Sequence, residues 1–248
     1  MAEKQTFIYG KHILKEALAR APHLVDKVWC QGVMDPAIKA LVRQHGLSIQ
    51  SFDEKSVPRG VDKTVVHQGY IASVTLDGFV TSYKSFIQDL EVTPDTALVV
   101  LGELQDPHNV GAIIRSAAAF GISGVLMPEH RQASLTGTVV KVSAGTAFSV
   151  PLVQTGNVNA ALEDLKKRGF WIYGLEGEGG NDITKETFDR PSVFVIGNEG
   201  AGIREKTREH CDVLLSIPMH ERCESLNASV SAAVALYSWS TQHKGALN

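Results

Sequence analysis

Three short stretches gather the side chains most able to do polar chemistry. The first runs Gly102-Glu103-Leu104-Gln105-Asp106-Pro107-His108-Asn109-Val110-Gly111 and continues through Ala112 to Arg115. Asn109 is of a type that caps helix N-termini, Gly111 permits close backbone approach, and Arg115 falls on the first turns of the helix that follows. A helix N-terminus beside a guanidinium suits a phosphate, although a capped helix with one surface arginine gives the same pattern. The second stretch, Ile196-Gly197-Asn198-Glu199-Gly200-Ala201-Gly202, surrounds an amide and a carboxylate with three glycines. A carboxylate there repels phosphate, and the GKS or GKT ending of a P-loop is missing, so the turn fits an uncharged nucleoside or a cationic ligand. The third is Ile217-Pro218-Met219, followed after five residues by Ser225-Leu226-Asn227. Ser225 reads as the N-cap of the last helix and Asn227 as a residue of its first turn. Together with Asn198 and Glu199 they make a polar cluster larger than a helix cap requires.

The elements that must position these stretches follow from apolar periodicity. From residue 96 onward, β-rich runs (Ala97–Leu101, Gly124–Met127, Phe170–Leu175, Ser192–Ile196, Val213–Ile217) alternate with helical patterns over 111–120, 159–168, 202–210 and 225–240. Continuous apolar strands between amphipathic helices predict a parallel sheet covered on both faces. Ligands of such sheets lie beyond the carboxyl ends of the strands, which directs attention to the loops after Leu101, Leu175, Ile196 and Ile217. In the last helix, Leu226, Val230, Ala233, Val234 and Tyr237 form the expected buried stripe. Residues 1–78 read as a separate small α/β unit. Its signals are a helix around Ile13 to Leu18, a strand from Val25 to Gln31, a helix opened by Asp35-Pro36, and strands at 47–52 and 70–76. Residues 79–95 read as a linker with one helical turn around Tyr83 to Leu90, and 96–248 as the catalytic domain. Trp29 and Trp171 are expected in the core.

Composition excludes several classes. The 248 residues are 44% hydrophobic and 21% charged, which is neither a disordered chain nor a disulfide miniprotein. The net charge of −3 creates no global basic field. It is unevenly distributed: residues 1–78 carry 10 Lys/Arg against 8 Asp/Glu, and the remainder 14 against 19. Cys30, Cys211 and Cys223 lack CxxC spacing, so neither a disulfide framework nor a thiolate metal site is expected. No metal is expected elsewhere, nor a signal peptide or a membrane span, and the predicted location is the cytoplasm. A Rossmann enzyme needs a glycine-rich turn after its first strand, which Leu101-Gly102-Glu103-Leu104-Gln105 does not supply.

The three stretches, in this order and spacing over about 150 residues, resemble the motifs of the SpoU (TrmH-type) branch of the SPOUT RNA methyltransferases. Ile8-Tyr9-Gly10 and His67-Gln68-Gly69 further resemble the signatures bounding the N-terminal domain in the subgroup that 2′-O-methylates guanosine in 23S rRNA. The resemblance implies an α/β fold whose C-terminal parallel-sheet domain carries a deep trefoil knot, preceded by a small RNA-binding domain. It also implies S-adenosylmethionine as cofactor, RNA as substrate and a homodimer. The cofactor would lie against Leu175, Glu176, Gly177, Ile196, Gly197, Ile217 and Met219, with Ser225, Leu226 and Asn227 alongside. Arg115 would be the catalytic arginine, positioned with the ribose by Asn109, Glu199, Ser225 and Asn227. Arginine's very high pKa leaves its role, base or orienter, open. Relatives often carry glycine two residues after the methionine, where this chain has Glu221. The alternatives are a tRNA 2′-O-methyltransferase and a non-catalytic RNA-binding protein on the same fold.

Overall fold

The computed structural model describes residues 5–53, 56–61, 65–76, 78–177, 179–198 and 200–247. Two compact units emerge, one of residues 1–80 with 135–149 and one of residues 81–134 with 150–248.

In the smaller unit, β1 (Gln5–Tyr9), β2 (Val25–Cys30), β3 (Ser48–Ser51) and β4 (Tyr70–Thr75) form a sheet in the order β1-β4-β2-β3. Helix α1 (Lys11–Arg20) buries Ile13, Leu14, Ala17 and Leu18, the predicted face. Helix α2 (Pro36–Gln44) starts as the sequence indicates, with Asp35 accepting from the Ala37 and Ile38 amides and Pro36 at the first position. The 67–70 turn is structural: His67 Nδ1 accepts from the Gly69 amide, and the Tyr70 amide donates to the His67 carbonyl. Strand β1 is additional to the elements the sequence predicts, whose first strand begins at Val25. A short helix, α5 (Gly137–Val142), packs on it, and a Cβ on Gly137 would lie 2.4 Å from the Phe7 carbonyl oxygen. Only glycine permits that approach.

The larger unit holds an eight-stranded sheet in the order β10-β12-β9-β11-β6-β7-β8-β5, in which every pairing is parallel. Its strands are β5 (Thr81–Ser82), β6 (Ala97–Leu101), β7 (Gly124–Pro128), β8 (Leu152–Thr155), β9 (Trp171–Leu175), β10 (Asn181–Asp182), β11 (Ser192–Ile196) and β12 (Val213–Ser216). Strands β6 and β11 are buried on both faces, as their unbroken apolar runs require. One face packs on α3 (Tyr83–Asp89) and α6 (Val158–Lys167) through Phe86, Ile87, Leu162 and Leu165. Helices α4 (Pro107–Ala119) and α8 (Ala228–Gln242) pack on each other, and α8 lies on β11. A single turn, α7 (Glu205–Arg208), occupies the middle of the predicted 202–210 helix.

Several expectations are corrected. The 79–95 linker supplies β5 and α3 to the larger sheet, and Phe86 and Ile87 are buried there. Residues 135–149, read as catalytic domain, belong to the smaller unit. Helix α4 is capped by Asp106, whose Oδ1 accepts from the His108 amide at 2.8 Å, and Asn109 lies inside the helix. Asn227, not Ser225, caps α8. The predicted stripe of α8 is reversed, with Ala232, Ala235, Leu236 and Trp239 buried and Val230, Val234 and Tyr237 at 46%, 36% and 59% exposure. Its sequence is apolar on nearly every side, so periodicity does not select a face. Trp29 and Trp171 are half-buried, under Lys27 and Arg190 respectively, and the core tryptophan is Trp239.

Candidate functional site

The carboxyl ends of the adjacent strands β12, β9 and β11 open onto one cavity of about 160 Å³, on the order of ten times what a single water needs. Its walls are Leu175, Glu176 and Gly177 after β9, Ile196, Gly197 and Asn198 after β11, and Ile217 and Met219 after β12, closed by Ser225, Leu226, Ala228 and Ser231 at the start of α8. Branched aliphatics and a methionine offer apolar surface to a flat ring, while loop backbone and Glu176 offer polar partners at the edge.

The turn after β11 is shaped by close approach. The Asn198 and Gly202 backbones exchange two hydrogen bonds of 2.9 Å, and a Cβ on Gly197 would sit 2.4 Å from the Gly202 carbonyl carbon. Asn198 ties the turn internally through Oδ1, which accepts from the Gly200 amide. Its Nδ2 donates to the Glu103 carbonyl 2.9 Å away, linking the turn to the loop after β6. That loop is pressed equally hard, since a Cβ on Gly102 would be 2.6 Å from the Ile196 carbonyl oxygen. Burial pushes the Cys211 thiol up to about 11, which disfavours its thiolate form at neutral pH.

Of the expected cofactor residues, Leu175, Glu176, Gly177, Ile196, Gly197, Ile217, Met219, Ser225 and Leu226 line the cavity. Asn227 does not; its Oδ1 accepts from the Ser229 amide at 2.9 Å and from the Ser229 hydroxyl at 2.6 Å. Arg115 is exposed on α4 and Asn109 is buried within it, and neither lines the cavity. Glu199 lies outside the described residues. Asn198, Gly202, Leu215, Ala228 and Ser231 line the cavity without having been singled out as cofactor residues. The amide between glycines in the second stretch was the signal for Asn198. Ser231, four residues beyond Asn227, shares its helical face.

A model of the SpoU rRNA Methylase family matches residues 96–237, and the chain belongs to that family. It is 34% identical to the 23S rRNA (guanosine-2′-O-)-methyltransferase RlmB of Shewanella oneidensis, covering 95% of this chain and 96% of the relative. A putative TrmH family tRNA/rRNA methyltransferase of Staphylococcus haemolyticus is 32% identical, over 93% of each chain. Among solved structures, the SpoU methyltransferase AviRb from Streptomyces viridochromogenes, crystallised with its cofactor AdoMet, shares the fold. Its TM-score is 0.81 at 23% identity, covering 98% of this chain and 92% of that one.

Proposed function

We propose that the protein transfers a methyl group from S-adenosylmethionine to the 2′-hydroxyl of a guanosine in 23S rRNA. The observation carrying this reading is the cavity built by the loops after β9, β11 and β12 together with the start of α8. Its composition fits the cofactor. The aliphatic side chains of Leu175, Ile196, Leu215 and Ile217 suit an adenine ring, and the Glu176 carboxylate suits ribose hydroxyls or a cationic centre. The knot expected of this family belongs to the same reading.

S-adenosylmethionine supplies an electrophilic methyl group carried on a sulfonium. The chain's own task is to hold a ribose hydroxyl in line with it and to help the hydroxyl lose its proton. The Arg115 side chain is exposed and makes no hydrogen bond or ion pair with any described residue, which leaves its planar fork available for ribose and phosphate. Asn109, Glu199, Ser225 and Asn227 complete the proposed active site. The smaller unit contributes RNA affinity. A homodimer is supported by the exposed apolar stripe Val230, Val234 and Tyr237 on α8. Among the described residues no helix is long and apolar enough to cross a membrane, in keeping with a proposed site of action in the cytoplasm.

The test is transfer of labelled methyl from S-adenosylmethionine to purified 23S rRNA and, separately, to tRNA, followed by nucleoside analysis. Labelled 2′-O-methylguanosine from 23S rRNA is the expected product. Label only in tRNA would move the substrate to tRNA, and no transfer to either would favour the non-catalytic RNA-binding alternative.

A further inference from the structure

Two arginines four residues apart, the N-cap and the last residue of α7, each grip a glutamate from a different neighbouring loop. Arg204 donates through Nη2 to Glu103 Oε2 at 2.5 Å, reaching the loop after β6. Arg208 Nε lies 3.1 Å from Glu176 Oε1, and its Nη2 donates to Oε2 at 3.3 Å, reaching the loop after β9. In the sheet, β11 sits between β9 and β6, so the segment following β11 holds the loops on either side of it. The apolar side of this segment is anchored by Ile203 and Cys211 against the core. Its polar side carries glycines at 197, 200 and 202, which provide no side-chain packing. We infer that Arg204 and Arg208 form a two-armed clamp setting the separation of the loops around the site. On this inference the Arg208 arm governs cofactor affinity and the Arg204 arm governs methyl transfer.

The two arms differ because their loops differ. Glu176 lines the cavity itself, so a shift of its loop alters the ligand's wall. Glu103 begins the loop that leads into α4, which carries Asn109 and Arg115. Glu103 also sits at φ 62°, a left-handed conformation that favours glycine, while its carbonyl accepts from Asn198. Backbone strain is thus kept where an ionic side chain is needed. Replacing Glu103 by glycine relieves the strain and removes the arm, which separates positioning from stability. Arg204 and Arg208 are positioning residues in this scheme.

The inference rests on the cavity being the cofactor site, and the test separates the two. Calorimetry with S-adenosylhomocysteine on the full chain should show Arg208→Ala weakening affinity about three- to fivefold, the ceiling for a solvent-facing ion pair, with Arg208→Lys recovering most of it. Arg204→Ala and Glu103→Gly should bind S-adenosylhomocysteine within about twofold of wild type yet lower kcat about three- to fivefold at saturating cofactor and RNA, with Arg204→Lys restoring it. In ligand-free protein, amide exchange should accelerate in the Glu176 peptide of Arg208→Ala and in the Glu103 peptide of Arg204→Ala. Unchanged exchange together with unchanged affinity and kcat would overturn the clamp. Faster exchange in a protein whose wild type binds no S-adenosylhomocysteine would instead overturn the cofactor site and leave the clamp as a purely structural device.

Discussion

At the scale of single residues, the proposed active site joins Arg115, exposed on α4, to the helix-capping Asn227. Arg115→Ala should abolish methyl transfer while S-adenosylhomocysteine affinity stays within about twofold, because the side chain lies away from the cavity walls. Lysine should not restore it, since an ammonium lacks the guanidinium's planar fork. Single-turnover assays beside calorimetry read both quantities, and normal turnover by Arg115→Ala would remove the residue from the catalytic set. Asn227 acts through a helix end. Asn227→Ala removes the acceptor for the Ser229 amide and hydroxyl and should cost about 0.5–2 kcal/mol in urea denaturation. It should also weaken ligand binding, because the turn it caps carries Ala228 and Ser231 into the cavity. Glu221 is exposed and does not line the cavity, so Glu221→Gly should leave affinity unchanged within about twofold; loss of binding would make this acidic loop part of the pocket.

Among the elements, α2 offers a pH test of its own start. Asp35 caps it and also meets Lys11 Nζ at 2.7 Å; the bond to the Lys11 ammonium, followed by the Ile38 amide, holds its carboxyl below the usual carboxylate value. A lowered folded pKa contributes stability above the unfolded value of about 3.9, and the contribution is lost as pH falls through the lower folded value. Asp35→Asn keeps the cap but not the ion pair, so it should be less stable than wild type at pH 7, with the gap in urea midpoint closing in acid. A constant gap from neutral pH to strong acid would refute this. These elements also show what sequence can reveal. Asp35-Pro36, the apolar runs of β6 and β11, and the glycine turn at 197–202 were legible because each is a local constraint, a cap, a two-faced burial or a close approach. The α8 face was not legible, because a helix apolar all round is oriented only by its tertiary partners. Strands β5 and β10 have two residues each, too few for alternation to register. The cap of α4 was misplaced because Asp106 and Asn109 both have capping side chains, and only Pro107 in the first helical position distinguishes them.

For the whole molecule, α8 presents Val230, Val234 and Tyr237 at spacings of four and three, a stripe that a partner would cover. Substituting Val234→Asp with Tyr237→Asp should convert a dimer into monomers in light scattering while keeping the wild-type circular dichroism spectrum; a wild-type monomer would dismiss the dimer. A chain beginning near Val92 should not behave as a clean catalytic domain. It would lack β5 and α3, and α5 would keep Val139 and Val140 without the β1 surface on which that helix packs. Loss of a cooperative thermal transition in that truncation is the expected sign. The smaller unit is built from two separated pieces of chain, and this bears on its synthesis. The strands β1 to β4 leave the ribosome well before Gly137 and the helix that covers β1. At about 5–20 residues per second, the nascent sheet waits for several seconds with an open edge. During that interval the β1 edge is a template for strand pairing to chaperones and to neighbouring nascent chains, and its exposure ends when a segment encoded in the middle of the sequence arrives to pack on it.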